Sequence, residues 1–315
     1  MSAAGRAASP AGNLSLRPFL GPRYWGTWLF YFWLRSVEKL PFRVQIAMGR
    51  QIGRMLALVF RSRRHVVACN LAACFPELSQ AERRALGRRH FEAVGISLME
   101  MAIGWFSPPE RLRRLVRVEG REHLERARAS GRGILLLSAH FTPLETGFAI
   151  MLELCPGIGC MYRPQRNAMM DMLVRRGRSR FVAEQIPRDD VRTLLRRLKA
   201  GGIVVYMPDQ TYTGNQSALL PFFGEPALTN IAVSKLARIS GAVVLPYLFR
   251  RLPDASGYLV TIMPALEPGP SEDALAGTRR WVRTLEQHIR LAPEQYLWIY
   301  KKFKGRPAPL PNLYE

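Results

Sequence analysis

His140 and Glu145 are the two residues of this 315-residue chain whose types and spacing point most directly to chemistry. An imidazole takes up and returns a proton near neutral pH, and a nearby carboxylate fixes its tautomer and stabilises the imidazolium. Both lie in the stretch 133–147, Gly-Ile-Leu-Leu-Leu-Ser-Ala-His-Phe-Thr-Pro-Leu-Glu-Thr-Gly. The apolar run Ile134–Leu137 has the length and flanks of a buried strand. Thr142 reads as a helix N-cap, Pro143 as the first helical residue, and Glu145 as the third residue of a capping box. The histidine is thereby left on a loop between a strand and a helix, where open α/β sheets place their reactive groups. Two readings of Glu145 stand together, an orienter of His140 and a helix cap. For His140 the alternative to catalysis is a structural hydrogen bond.

The remaining histidines, His65, His90, His123 and His288, fall in helical or arginine-rich surroundings typical of packing and surface positions. No G-x-S-x-G elbow, H-E-x-x-H zinc motif or G-x-x-x-x-G-K-[ST] phosphate loop occurs. Cys69, Cys74, Cys155 and Cys160 lack metal-site or C-x-x-C spacing and read as small packing residues of a reducing compartment. Neither a metal nor a cofactor is therefore expected. A histidine and a carboxylate without nucleophile or metal suggest direct transfer, in which the base deprotonates a substrate hydroxyl that attacks an activated group.

The elements that must position these residues form a regular succession. Residues 1–22, rich in Ala, Ser, Gly and Pro, read as a disordered leader. Residues 23–60 read as an N-terminal anchor. The run 24–34 holds three Trp and two Tyr, residues that favour a membrane–water interface, and 46–60 is amphipathic with Arg50 and Arg54. Either a short span or an interfacial helix fits that segment, and a hydrophobic helix packed on the protein's own core is the alternative. Arg61, Arg63 and Arg64 follow it. In the remaining domain, 61–315, Ser79 and Glu82 form a capping box that opens a long helix to about residue 105. Strands are expected at Val116–Glu119, Ile134–Leu137, 158–162, 203–207, 243–249 and Tyr258–Ile262. Helices are expected at 121–130, 143–154, 167–181, 189–200, 230–239 and 272–291. The alternation predicts an α/β fold, a mixed, largely parallel sheet flanked by helices. The basic tail from Lys301 reads as a surface strap.

The charge is unusual, with 46 Lys and Arg against 24 Asp and Glu for a net +22. Such a field favours nucleic acid, an anionic membrane, a phosphorylated substrate or an acidic carrier protein. Nucleic acid would account for the charge but not for the aromatic N-terminus, and the usual recognition motifs are missing. Two basic groups stand out: Arg192, Arg196, Arg197 and Lys199 around an amphipathic helix, and the denser cluster Arg175, Arg176, Arg178 and Arg180, suited to bidentate contacts with phosphates or carboxylates.

His140 and Glu145, as H-x-x-x-x-E after a strand, resemble the active block of the glycerolipid acyltransferase superfamily. Within it, the chain resembles the bacterial lipid A biosynthesis lauroyl/myristoyl (late) acyltransferases, which act on Kdo-lipid IVA. The resemblance runs nearly end to end, through Cys74-Phe75-Pro76-Glu77, Tyr162-Arg163-Pro164, Pro208-Asp209-Gln210, Pro221-Phe222-Phe223-Gly224 and the block 292–298. It implies that His140, polarised by Glu145, deprotonates the 3-hydroxyl of a hydroxyacyl chain, which attacks the thioester of an acyl-acyl carrier protein. It also implies that Arg163, with Arg166 and Asn167, contacts substrate phosphate or acceptor, that Arg178 and Arg180 help bind the anionic lipid A precursor, and that Asp209 binds the acceptor. The expected partners are then acyl carrier protein, lipid A precursor and membrane. The expected location is the bacterial inner membrane with the catalytic domain facing the cytoplasm. A glycerophosphate-type phospholipid acyltransferase fits less well, because Pro208-Asp209-Gln210 departs from that subgroup's Pro-Glu-Gly.

Overall fold

A computed structural model describes residues 15–266 and 274–315. Most of the expected leader lies outside the described residues. Its last part, 15–22, forms short 3-10 turns whose Phe19 carbonyl accepts from the Trp28 indole.

Helices α1 (Trp25–Val37), α2 (Phe42–Val59), α3 (Arg61–Cys74), α4 (Gln80–Phe106) and α5 (Pro109–Leu115) come first. The α/β succession then runs β1 (Val116–Glu119), α6 (Arg121–Ala129), β2 (Ile134–Leu137), α7 (Leu144–Leu154), β3 (Gly159–Tyr162), α8 (Ala168–Arg178), β4 (Glu184–Pro187), α9 (Val191–Lys199) and β5 (Ile203–Tyr206). It continues with β6 (Ser217–Phe222), β7 (Glu225–Asn230), α10 (Ala232–Ser240), β8 (Val243–Arg251), β9 (Tyr258–Ile262) and α11 (Ala274–Leu291). The first two residues of the expected helix 272–291 lie outside the described residues.

Seven strands form one sheet in the order β1-β9-β8-β2-β5-β3-β4. The pairs from β8 through β4 are parallel, as are β1 and β9, and only β8 and β9 are antiparallel. The fold is therefore the expected mixed, largely parallel sheet with flanking helices. Central strand β2 is buried throughout its Ile-Leu-Leu-Leu run, as a strand covered on both faces must be. In register, Leu137 at its end stands beside Tyr206 of β5 and Pro246 of β8.

Three strands were not expected. β4 is a sheet edge of four residues with a terminal proline, which weakens the strand signal. β6 and β7 pair as a separate hairpin turning at Phe223-Gly224, both with positive φ. Pro221 and a Phe-Gly turn in place of Asn-Gly hide it from pattern reading.

The first half of the chain is organised by α4, whose capping box of Ser79 and Glu82 forms as expected. α2 crosses it at contact distance because the crossing is made of glycines. A Cβ on Gly95 would stand 2.1 Å from the Gly49 carbonyl oxygen, and one on Gly53 would stand 2.1 Å from that of Phe91. Farther along, buried Glu100 receives Arg251 Nη1 at 2.6 Å, tying α4 to the end of β8.

The segment 23–60, expected as an anchor, forms α1 and α2, which pack on α4 as the alternative reading of a helix on the protein's own core has it. Among the described residues no helix is long and apolar enough to cross a membrane. The 13 residues of α1 rise only about 20 Å, short of a hydrocarbon core of about 30 Å. One side of α1 packs Leu34 and Val37 against Met99, Ala102 and Trp105 of α4, and its other side is exposed at Trp25, Leu29 and Phe32. The short span is thus not formed. The basic tail lies mostly at the surface, as expected of a strap, but Lys302 and Phe303 within it are buried. All four cysteines are free, and three of them are buried as expected of packing residues.

Replacing Gly95 by leucine should force α2 off α4, because the obstructing atoms are backbone and cannot rotate away. A loss of at least about 1–3 kcal/mol is expected in urea unfolding; an unchanged midpoint would show that the crossing tolerates separation.

Candidate active site

β2 and β5 are adjacent, parallel and in register, so the loops that leave them open side by side at the carboxyl edge of the sheet. The first loop carries His140 and the second Asp209. Their side chains meet: His140 Nδ1 lies 2.7 Å from Asp209 Oδ1, and the His140 backbone N–H donates to Oδ2 at 3.0 Å. An ionised carboxylate only accepts, so Nδ1 carries a proton, and in the neutral ring Nε2 is left with its lone pair. The Asp209 carboxylate is 1% exposed and the His140 side chain 25%. This is a buried acid holding a ring whose outer nitrogen is available as a base.

Asp209 is compensated on every side. The Tyr296 hydroxyl donates to Oδ2 at 3.2 Å, and Lys302 Nζ donates to the Asp209 carbonyl at 2.7 Å. Burial alone would raise the Asp209 carboxyl. The charge of His140, bonds from its ring and backbone, and the charge of Lys302 outweigh burial and hold it below the usual range. For His140, burial works downward, and the charge and bond of Asp209 outweigh it and raise the imidazole above its ordinary value. Burial pulls the Lys302 ammonium down to about 8, still protonated at neutral pH.

The His140 loop is also gripped through its backbone. Thr142 N–H donates to Gln295 O at 2.7 Å and Leu297 N–H to His140 O at 3.1 Å. The Gln295 side chain, in turn, bonds both the N–H and the carbonyl of Arg251 at the end of β8.

Glu145 is placed differently from expectation. Arg178 meets it with two bonds, Nη2 to Oε1 at 2.5 Å and Nε to Oε2 at 3.2 Å, and the Trp105 indole donates to Oε2 at 2.8 Å. No hydrogen bond joins it to His140 among the described residues; the orienting contact belongs to Asp209. Nor does Glu145 cap its helix. α7 starts one residue late, with Pro143 at the N-cap and no side-chain capping bond, and the buried Thr142 hydroxyl is unpartnered. Proline at the cap explains this, since its ring fixes the backbone and leaves the Thr142 hydroxyl off the helix axis.

The expected role of Asp209 changes accordingly: a buried carboxylate bound to a histidine is not exposed to an acceptor. Arg163 stands exposed on the loop after β3, at the same sheet edge, with no ion-pair partner among the described residues, and Arg166 is exposed beside it. Asn167 is the N-cap of α8, accepting from Met170 N–H. Arg180 reaches back to α4, donating to the carbonyls of Trp105 and Ser107. The structure therefore joins His140 to Asp209 and Glu145 to Arg178, and leaves Arg163 and Arg166 along the rim.

Residues 15–305 match the family described as bacterial lipid A biosynthesis acyltransferase. The chain is 39% identical over 297 residues to the lipid A biosynthesis lauroyltransferase of Escherichia coli (strain K12), covering 94% of this chain and 96% of that one. It is 36% identical over 302 residues to the palmitoleoyltransferase of the same strain, covering 95% and 97%. With the myristoyltransferase of that strain it shares 27% over 293 residues, covering 92% and 90%. The chain belongs to the bacterial lipid A biosynthesis acyltransferase family. It is an acyltransferase, and the His140–Asp209 pair is a base suited to such a reaction, with no nucleophilic side chain required of the protein.

Four functional neighbours escaped sequence reasoning: Tyr296, Lys302, Gln295 and Trp105. Tyr296 and Gln295 fall in the block 292–298 that carried the resemblance, so position in that block was the available signal. Lys302 was concealed among basic tail residues, and Trp105 by its place at the end of a long helix.

Asp209→Asn should lower kcat by about 10²–10⁴-fold, since an amide neither holds the tautomer nor stabilises the imidazolium. Because Asp209 raises the His140 pKa, the acidic limb of the remaining activity should shift to lower pH; a pH–rate profile unmoved on that limb would separate Asp209 from His140. Glu145→Ala leaves the buried Arg178 cation unpaired and should cost about 3–5 kcal/mol in chemical denaturation. A loss below about 1 kcal/mol would mean that Arg178 finds water instead.

Proposed function

We propose that the protein transfers a fatty acyl chain from acyl-acyl carrier protein to the 3-hydroxyl of a hydroxyacyl chain on a lipid A precursor, Kdo-lipid IVA, a late step of lipopolysaccharide biosynthesis. The observation that carries this reading is the His140–Asp209 pair, in which the bond at Nδ1 leaves Nε2 of the neutral, partly exposed ring as the basic nitrogen. In the first step Nε2 takes the hydroxyl proton as the oxygen attacks the thioester carbonyl. Asp209 stabilises the imidazolium, and the carbonyl oxygen becomes an oxyanion. First-turn N–H groups of α7, at Leu144 and Glu145, have no acceptor within their own helix and are candidate donors for it. Collapse breaks the C–S bond. The leaving thiolate takes the proton from His140, giving an ester and a free carrier thiol. Arg163 and Arg166 supply positive charge on the rim for the anionic acceptor.

The same reading assigns the exposed faces of α1 and α2 to the cytoplasmic leaflet of the inner membrane. Trp25, Leu29 and Phe32 on α1, and Met55, Leu58 and Val59 on α2, are exposed, with Leu29 at 74% and Leu58 at 71%. Arg23, Arg50, Arg54, Arg61, Arg63 and Arg64 flank them. Apolar and aromatic side chains fringed by arginine suit an anionic interface on which the protein lies without crossing. The net charge of +22 suits three anionic partners at once: leaflet, acceptor and carrier protein.

The reading is tested by incubating the protein with Kdo-lipid IVA and acyl carrier proteins bearing chains of several lengths, followed by mass spectrometry. One added acyl mass is expected with at least one donor, and His140→Ala should reduce its rate by about 10²–10⁴-fold. No added mass with any donor would sink the proposal.

A further inference from the structure

A cavity of about 350 Å³ lies apart from the His140 edge, where α1, α4 and α8 meet. Its charged lining is three guanidiniums, Arg35 from α1, Arg176 from α8 and Arg180 just beyond α8. Its apolar walls include Tyr31, Trp105 and Phe106. Among the described residues no carboxylate pairs with any of the three arginines. Glu38 is the nearest acid to act on Arg180, but it is already held by Arg111 at 2.9 Å and by the Ser107 hydroxyl at 2.8 Å.

The arginines are held in place by groups that do not neutralise them. Arg180 is fixed by the carbonyls of Trp105 and Ser107, and the Arg35 guanidinium lies 5.0 Å above the Phe106 ring. Burial and the like charge of Arg35 together lower the Arg180 guanidinium from its ordinary value, so the two cations feel each other. Three guanidiniums that line one cavity without a carboxylate partner among the described residues suit an anion, and their forked donors fit phosphate oxygens. The aromatic walls continue onto the exposed apolar face of α1, where Phe32 is next to Tyr31. An anion entering here therefore brings an apolar body with it.

We propose that Arg35, Arg176 and Arg180 form a binding site for the phosphate monoester of a lipid, with Tyr31 and Phe106 against its apolar part. That phosphate belongs either to the acyl acceptor or to a phospholipid of the leaflet. Only the assignment to the acceptor rests on the function proposed above. The site is one indole away from the sheet edge, since Trp105 walls the cavity and donates to Glu145.

Arg35 and Arg176 are exposed and hold no backbone, so the variant R35Q/R176Q keeps the fold while Arg180 keeps its carbonyl contacts. Isothermal calorimetry with monomeric dihexanoylphosphatidic acid should show binding by the unaltered protein, at least about tenfold weaker binding by the variant, and none of dihexanoylphosphatidylcholine by either. Equal affinity in both proteins, or equal binding of the phosphocholine lipid, would overturn the site. In the transfer assay, the variant should raise KM for the phosphorylated acceptor with kcat within about twofold. If the penalty disappears for an acceptor stripped of its phosphates, the acceptor supplies the group. If it instead follows the phosphatidic acid content of mixed vesicles, the leaflet does. A penalty indifferent to both phosphates would again overturn the site. Absence of acyl transfer by the unaltered protein would defeat the proposed function, and the calorimetric comparison would still decide the phosphate site.

Discussion

The buried carboxylate of Asp209 is the constraint around which the His140 edge of the sheet is built. An ionised carboxylate taken out of water costs several kcal/mol unless its oxygens are bonded and its charge is met. Here one oxygen takes the His140 ring, the other takes the His140 backbone N–H and the Tyr296 hydroxyl, and Lys302 adds positive charge through the Asp209 carbonyl. These four donors come from two stretches of chain, the His140 loop and the C-terminal segment from Tyr296 to Lys302, so that segment must close over the loops of β2 and β5. That requirement explains why a lysine and a phenylalanine in a basic tail are buried. The Phe222 ring from the β6–β7 hairpin lies 4.7 Å from Lys302 Nζ and completes the enclosure.

Two carboxylates with different partners divide the work that one was expected to do. Asp209, beside a histidine, tunes a base. Glu145, beside Arg178 and Trp105, forms a fork-to-fork ion pair that ties the start of α7 to the end of α8 and to α4. Its backbone is no less constrained: a Cβ on Gly104 would stand 2.7 Å from the Glu145 carbonyl oxygen. The five-residue interval between His140 and Glu145 therefore sets the distance from a loop to the first turn of a helix, with the carboxylate turned toward α4 and not back to the ring. Through that pin the helix N-terminus, with its unpaired N–H groups, is fixed relative to His140.

The sequence was most legible where periodicity and length suffice. The buried run Ile134–Leu137, the strand Tyr258–Ile262, and the capping box of Ser79 and Glu82 stand where the pattern places them. His140 was legible too, as a histidine following a buried strand. Its partner was not, because Asp209 is 69 residues away in sequence, and only the adjacency of β2 and β5 in the sheet brings it near. Local spacing favoured Glu145, and the capping pattern reinforced the error; a proline one position from the expected cap was enough to shift the helix start. The aromatic N-terminus was legible as apolar and interfacial in composition, but the side it buries depends on α4, whose glycine crossing with α2 is a tertiary fact. Strands β4, β6 and β7 were hidden by prolines and by a Phe-Gly turn.

Trp105 connects the two halves of this account. Its indole N–H is bound to Glu145, its carbonyl to Arg180, and its ring packs on Gly177, where a Cβ would stand 2.5 Å from the indole. A large rigid side chain with two such attachments, and its own backbone carbonyl held by Arg180, has little freedom to rotate, so Trp105 keeps the wall of the arginine cavity in register with the Glu145–Arg178 pair. This chain of direct contacts places the arginine cavity and the start of α7 in fixed relation. It also explains the use of arginine at 178 and 180: a guanidinium can fork onto a carboxylate or span two carbonyls, whereas an ammonium offers a point charge without that fixed geometry. Three members of the dense arginine cluster at and just beyond the end of α8 thus differ in surroundings. Arg178 is paired with Glu145, Arg180 is anchored on two carbonyls, and Arg176 lines the cavity; neither Arg180 nor Arg176 has a carboxylate partner among the described residues. A cluster that looks uniform in the sequence contains one structural ion pair and two cations with charge to spare.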